Sequence, residues 1–155
     1  LPIRLLRDEV AIVEHAGRPV LALIGMECHH DSAADAARLE RLVSAAPSGL
    51  PKVLLYHSPD LMPVAVRLNI DLYLCGHTHG GQVRLPGYGA VVTSSRLGKR
   101  YEMGHYHEGN THLYVGRGIG FEGLGAPRVR LLCPPEVILW TLLPTAAAGE
   151  HLPGE

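Results

Sequence analysis

Apolar residues in the first part of the chain change from a strand-like to a helix-like spacing. Two β-rich runs, Val10–Glu14 and Val20–Ile24, flank a polar turn and predict a β-hairpin. A stripe of apolar residues at helical spacing follows and predicts a helix over about 33–46. Asp31 or Ser32 would cap the start of this helix. The stripe consists of Ala36, Leu39, Leu42, Val43 and Ala46.

Two more strands with a short helix between them come next. Lys52–Tyr56 is a continuous apolar run, which is typical of a strand buried on both faces of a layered α/β protein. A short helix around Met62–Asn69 leads to a strand that ends at Cys75. The order of elements predicts an α/β fold in which a mixed sheet carries helices on one face.

The second half of the chain is richer in β-strand signals. Tyr101–His107 and Thr111–Gly116 flank a Glu-Gly-Asn turn and predict a second hairpin. Arg128–Cys133 and Glu136–Leu143, on either side of two prolines, predict two further strands. Residues 144–155 are rich in Ala, Gly and Pro and predict a flexible tail. No linker separates two domains, so residues 1–143 are expected to form part of one.

Composition narrows the function classes. Lys and Arg number 14 against 15 Asp and Glu, and aromatic residues make up 5%, so the chain lacks the basic field and the stacking surface of a nucleic-acid binder. No stretch approaches the roughly 20 apolar residues of a membrane span. The three widely spaced cysteines predict no disulfide framework. The sequence leaves two compartments as alternatives, the cytoplasm and the cell envelope of a bacterium.

Candidate chemistry lies at the ends of two strands. His57 follows the Lys52–Tyr56 strand, while His77 and His79 follow the strand ending at Cys75, inside a glycine-rich turn. Ligands of α/β sheets sit beyond the carboxyl ends of the strands. If the two strands are parallel neighbours, all three imidazoles gather at one sheet edge. Imidazole is the commonest neutral metal ligand, so the pattern favours a metal site over solvated loop histidines.

The motifs carry a family resemblance. His57–Asp60 and the Gly-His-Thr-His-Gly-Gly-Gln string at 76–82 resemble the calcineurin-like metallophosphoesterases, in their bacterial phosphodiesterase-like branch. Further likeness lies at Tyr114–Gly120, Pro127–Arg130 and Pro134–Val137. The resemblance implies a four-layer α-β-β-α sandwich with mixed sheets.

The same resemblance implies a chemistry. Two divalent cations of the Mn, Zn or Fe type would hold a hydroxide that hydrolyses phosphomono- or diesters. His57 and His77 would bind one cation and His79 the other. The substrate would be a phosphate ester.

The earlier motifs of that family supply a bridging carboxylate, an Asn ligand and the His expected to assist the leaving group. These motifs do not occur in these 155 residues. By the resemblance, residues 1–143 are the C-terminal portion of the domain, and its N-terminal half is the missing partner. Two ligands for one cation and one for the other fall short of the usual three or four. The isolated chain is therefore expected to bind at most one metal ion, weakly, and to be nearly inactive.

Other polar groups are weaker candidates. Arg117 could contact a phosphate, because a guanidinium matches its geometry. The Cys28–Asp31 cluster, with His29 as the substrate contact, could complete a half-site, or it could be an exposed loop whose Asp31 caps a helix. The histidines of the second hairpin (His105, His107 and His112) could line a pocket or face solvent.

Two other function classes remain open. A non-catalytic or partner-completed remnant of the family would act as a binding module, and it would differ in what precedes Leu1. A cupin-type β-barrel also carries His-x-His on a strand, but it would need a Glu about four residues later, where Gln82 stands.

Overall fold

The computed structural model describes residues 3–121 and 128–143. Strands β1 (Glu9–His15) and β2 (Arg18–Gly25) form the predicted hairpin, with Val10 opposite Ile24. The turn between them contains Ala16 and Gly17, both at positive φ. The predicted first helix is also confirmed: α1 spans Ser32–Ala45, and the Asp31 side chain accepts hydrogen bonds from the amides of Ala33 and Ala34.

The remaining elements are β3 (Lys52–Leu55), α2 (Met62–Arg67), β4 (Leu72–Cys75), β5 (Arg84–Leu85), β6 (Gly89–Ala90), β7 (Gly104–Glu108) and β8 (Thr111–Val115). Six of the strands form a mixed sheet in the order β1-β2-β3-β4-β8-β7. Strands β2, β3, β4 and β8 are parallel neighbours, and β7 closes the sheet as an antiparallel edge strand. The two short strands β5 and β6 form a separate ribbon.

A row of fully buried residues crosses the sheet and forms the centre of the core. Its members lie in register on four adjacent strands: Ile24, Leu54, Tyr73 and Leu113. Leu39 of α1 and Met62 of α2 belong to the same buried cluster, so both helices cover this face. This arrangement agrees with the predicted α/β fold and with helices on one face.

The opposite face of the sheet is only partly covered. Leu23, Leu55 and Leu74 line a shallow groove there, together with Leu5 and Leu6. The second sheet of the predicted four-layer sandwich stays a prediction.

The prediction of two strands after Arg128 is wrong. Within 128–143 the structure has one isolated parallel bridge, Val83 with Leu131. Prolines 134 and 135 provide no amide hydrogen for a ladder. The amide of Glu136 donates instead to Gly118 O (3.1 Å). The strand predicted from Tyr101 also begins later, at Gly104, because 98–101 form a 3-10 turn.

Some expectations fall on residues that the structure does not describe. The predicted tail, 144–155, and Pro127 of the family motif lie outside the described residues. In the part of the chain that is described, no helix is long and apolar enough to span a bilayer.

Candidate metal centre

His57 and His77 meet at the carboxyl edge of the parallel strands. His57 lies two residues beyond β3 and His77 two beyond β4, and the Gly76 amide donates to His57 O (3.0 Å), which fixes the two exits together. His57 Nε2 lies 3.0 Å from His77 Nδ1, and the ring centroids are 4.6 Å apart. The convergence expected from the topology is therefore present for this pair.

The second nitrogen of His77 shows which tautomer this pair uses. His77 Nε2 lies 3.1 Å from the backbone oxygen of Ser94. A carbonyl oxygen only accepts, so Nε2 carries the proton, and in the neutral ring the Nδ1 lone pair faces His57. Metal-binding histidines commonly hold their other ring N–H in this way.

The geometry of the pair fits one cation. Imidazole nitrogens lie about 2.0–2.1 Å from Zn²⁺, so two ligands at angles between 90° and 109° are about 2.9–3.4 Å apart. The observed 3.0 Å is within this range. In the arrangement seen, His57 Nε2 donates to His77 Nδ1, and metal binding would require that proton to leave Nε2.

The turn that carries His77 needs its glycines. His77 and His79 have φ of 73° and 49°, and Gly80 follows at 62°. A Cβ on Gly80 would lie 2.6 Å from the Cys133 sulfur, so no other residue fits without displacement. Thr78, which is buried, donates to Glu102 O (2.7 Å) and holds the turn against the loop that precedes β7.

His79 contacts a different set of groups from His57 and His77. Arg130 Nη2 lies 3.4 Å from His79 Nδ1, and the same guanidinium donates to Arg117 O (2.8 Å) and to Gly120 O (2.7 Å). Arg130 therefore ties the His79 turn to the loop after β8. The role of His79 as a ligand of the second cation stays a prediction.

Arg117 is paired with a carboxylate. Its guanidinium contacts Glu136, and its amide donates to Glu136 Oε1 (2.8 Å). The hydrogen bond from Arg117 holds the pKa of Glu136 below its ordinary value. A phosphate would have to compete with Glu136 for this guanidinium, and the predicted substrate contact of Arg117 stays untested.

The Cys28–Asp31 cluster separates into two environments. His29 Nε2 lies 3.9 Å from Glu27, and the His29 amide donates to Asp35 (3.3 Å). His30 is the ring of this cluster that lies against the pair, with centroids 5.9 Å from His77 and 6.2 Å from His57. The sequence analysis named the whole cluster as a possible half-site and singled out His29 within it. His30 also follows β2, which ends at the same sheet edge. The substrate contact of His29 stays a prediction.

A second group of metal-ligand residues lies beside His29. Ligand atoms of Asp8, Glu27 and His29 are within 4.8 Å of one another. The Asp8 carboxylate already accepts from Arg38 Nη1 (3.2 Å) and from the Glu27 amide (3.1 Å). These donors satisfy its charge without a cation.

The chain is similar in sequence to known metallophosphoesterases. No family model and no solved structure matches the chain significantly. It is 41% identical to the uncharacterized metallophosphoesterase YkuE of Bacillus subtilis over 106 residues, which are 68% of this chain. It is also 41% identical to the phosphodiesterase YaeI of Escherichia coli, over 64% of this chain. The UDP-2,3-diacylglucosamine pyrophosphatase LpxG of Chlamydia trachomatis is 32% identical over 61% of it.

The chain spans about a third of the length of these relatives: 36% of YkuE, 35% of YaeI and 30% of LpxG. The similarity agrees with the resemblance carried by the two histidine motifs. Over about two thirds of its length, this chain is therefore related to the metallophosphoesterases.

Proposed function

We propose that the chain forms part of a binuclear metal-dependent phosphoesterase that hydrolyses phosphomono- or diesters. His57 and His77 would bind one divalent cation and His79 the other. The observation that carries this proposal is the 3.0 Å separation of the His57 and His77 nitrogens at the carboxyl edge of the sheet. The phosphodiesterase and pyrophosphatase names of two relatives support phosphate esters as the substrate class.

The chain's own residues would position the ligands. Divalent cations supply charge that neutralises phosphoryl oxygens and lowers the pKa of bound water. The Ser94 carbonyl keeps the proton of His77 on Nε2, so that Nδ1 would be available to hold the cation. The buried Thr78 fixes the turn, and the Gly76 amide fixes the distance between the two strand exits.

The ligand count limits what these residues do alone. His57 and His77 give one cation two protein ligands, and His79 gives the other cation one, where three or four are usual. The bridging carboxylate and the remaining ligands would come from the N-terminal half of the domain. At this centre, the isolated 155-residue chain should bind at most one divalent ion, weakly, and the chain should be nearly inactive.

Substrate contacts would come from the rim of the site. Arg117 would exchange its pairing with Glu136 for a phosphate group, since a carboxylate and a phosphate can each accept two hydrogen bonds from a guanidinium. His29 would contact the substrate from the loop after β2. These two roles depend on the binuclear assignment.

The test is hydrolysis of bis(p-nitrophenyl) phosphate with Mn²⁺, by the full-length protein that contains these residues. His57→Gln and His77→Gln should each lower kcat/KM by more than tenfold, since each removes a ligand. His15→Gln, at the exposed end of β1, is the matched control and should leave kcat/KM unchanged.

Activity retained within tenfold in both ligand variants would show that these imidazoles do not hold a catalytic cation. Divalent-ion binding that depends on His57 and His77, without hydrolysis of any phosphate ester, would favour the non-catalytic binding module instead.

A further inference from the structure

Three histidines lie on one exposed face of the β7–β8 hairpin, at the edge of the sheet. His105 and His107 are two residues apart on β7, so their side chains point to the same face. His112 on β8 stands directly opposite His107. All three side chains are exposed to solvent.

The three rings are already in contact. The ring of His112 stacks on His107, with centroids 4.3 Å apart and planes 15° apart. The same ring lies 5.2 Å from His105, at an angle of 12°. His105 Nε2 is 3.0 Å from His112 Nδ1, a diagonal contact across the two strands.

This nitrogen separation equals that of the His57–His77 pair. It falls within the roughly 2.9–3.4 Å that separates two imidazole ligands of one cation. The hydrogen bond between the two rings thus holds two possible ligand nitrogens at the distance that separates two imidazole ligands of one cation. His107 is exposed, so its ring can turn about its side-chain torsions to provide a third nitrogen.

We propose that His105 and His112, with His107 as a third ligand, bind a divalent cation of the Cu²⁺, Ni²⁺ or Zn²⁺ class on this hairpin. Imidazole donors suit these borderline cations, whereas Mg²⁺ and Ca²⁺ prefer oxygen ligands. The site is separate from the proposed catalytic centre and does not depend on the proposed function.

The chain contains its own reporter for this site. Trp140 is the single tryptophan of the sequence, and its ring packs edge-on against Tyr114 at 5.3 Å. Tyr114 stands opposite His105 in the β7–β8 ladder. Cu²⁺ quenches tryptophan emission at short range, so binding at the hairpin should lower the Trp140 signal.

The experiment titrates Cu²⁺ alone into the 155-residue chain carrying His57→Gln and His77→Gln, which removes the other histidine pair. Saturable quenching of Trp140 with one equivalent of Cu²⁺ is expected. Adding His105→Gln and His112→Gln should raise the half-quenching concentration at least tenfold. His15→Gln, the matched control, should leave the titration unchanged.

An unchanged titration in the His105→Gln, His112→Gln protein would overturn the proposal. Quenching that disappears on replacing His57 and His77 alone would also overturn it, because the cation would then sit at the catalytic centre. In the chain that retains His57 and His77, the two hairpin substitutions should reduce the number of bound Cu²⁺ equivalents from two to one. In the full-length protein they should leave phosphate-ester hydrolysis intact, which separates this site from the proposed function.

Discussion

Asp35 is a fully buried carboxylate that joins three segments next to the candidate metal centre. Its side chain accepts hydrogen bonds from the Tyr56 hydroxyl, from the Arg38 guanidinium and from the His29 amide. Tyr56 immediately precedes His57. Burial and the hydrogen bond to Asp35 raise the pKa of Tyr56 well above its ordinary value, so its hydroxyl stays a donor.

Two substitutions measure this network. Tyr56→Phe removes one donor and leaves Asp35 with Arg38 and the His29 amide. A hydrogen bond to a charged group contributes about 1.5–3 kcal/mol, so we expect the free energy of unfolding to fall by about 2 kcal/mol. Asp35→Ala removes the acceptor of all three donors and leaves Arg38, itself mostly buried, without its nearest carboxylate. The expected loss is about 3–5 kcal/mol.

Urea denaturation followed by circular dichroism gives both values from the midpoint and slope of each transition. Tyr88→Phe is the matched control, because Tyr88 is 59% exposed, and it should change the free energy of unfolding by less than about 0.5 kcal/mol. If Tyr56→Phe costs no more than Tyr88→Phe, then the buried network does not stabilise the fold and the reasoning from Asp35 is refuted.

Two further predictions concern the pairing of Glu136 with Arg117 and the ring of His30. The lowered pKa of Glu136 in the folded state means that its pairing with Arg117 stabilises the fold above pH 4.5 and is lost as the pH falls through the folded pKa. Glu136→Gln should therefore flatten the acid side of a plot of melting temperature against pH between 3 and 7, and parallel curves for the two proteins would contradict this. His30→Gln should weaken divalent-ion binding at the His57–His77 pair by about tenfold if His30 adds a ligand or orients one. Calorimetric titration with Zn²⁺ measures the change, and equal affinities would show that the ring is only a neighbour.

Patterns among residues close together in the sequence were enough to predict most strands of the sheet. The β-rich runs Val10–Glu14 and Val20–Ile24, with a polar turn between them, predicted the first hairpin. The helical stripe with Asp31 before it predicted α1, and Asp31 does cap that helix. These predictions hold because a short turn and a side-chain cap depend on residues within a few positions of each other.

The last described segment shows where local signals failed. Arg128–Cys133 and Glu136–Leu143 have the composition of strands, but in the structure their neighbours are loops. Glu136 pairs with Arg117, and Leu131 forms a single bridge with Val83. A strand requires a partner edge, and composition does not show whether one is present.

The sequence by itself indicated that His57 and His77 each follow a strand, and that a short helix connects the two strands. If such strands pair in parallel, their ends share one sheet edge, and the structure confirms this pairing. Only the tertiary structure decided that His30, and not the adjacent His29, lies against that pair, and that the Ser94 carbonyl selects the tautomer of His77. Those choices depend on loop backbone angles and on contacts between residues far apart in the chain, which spacing in the sequence does not encode.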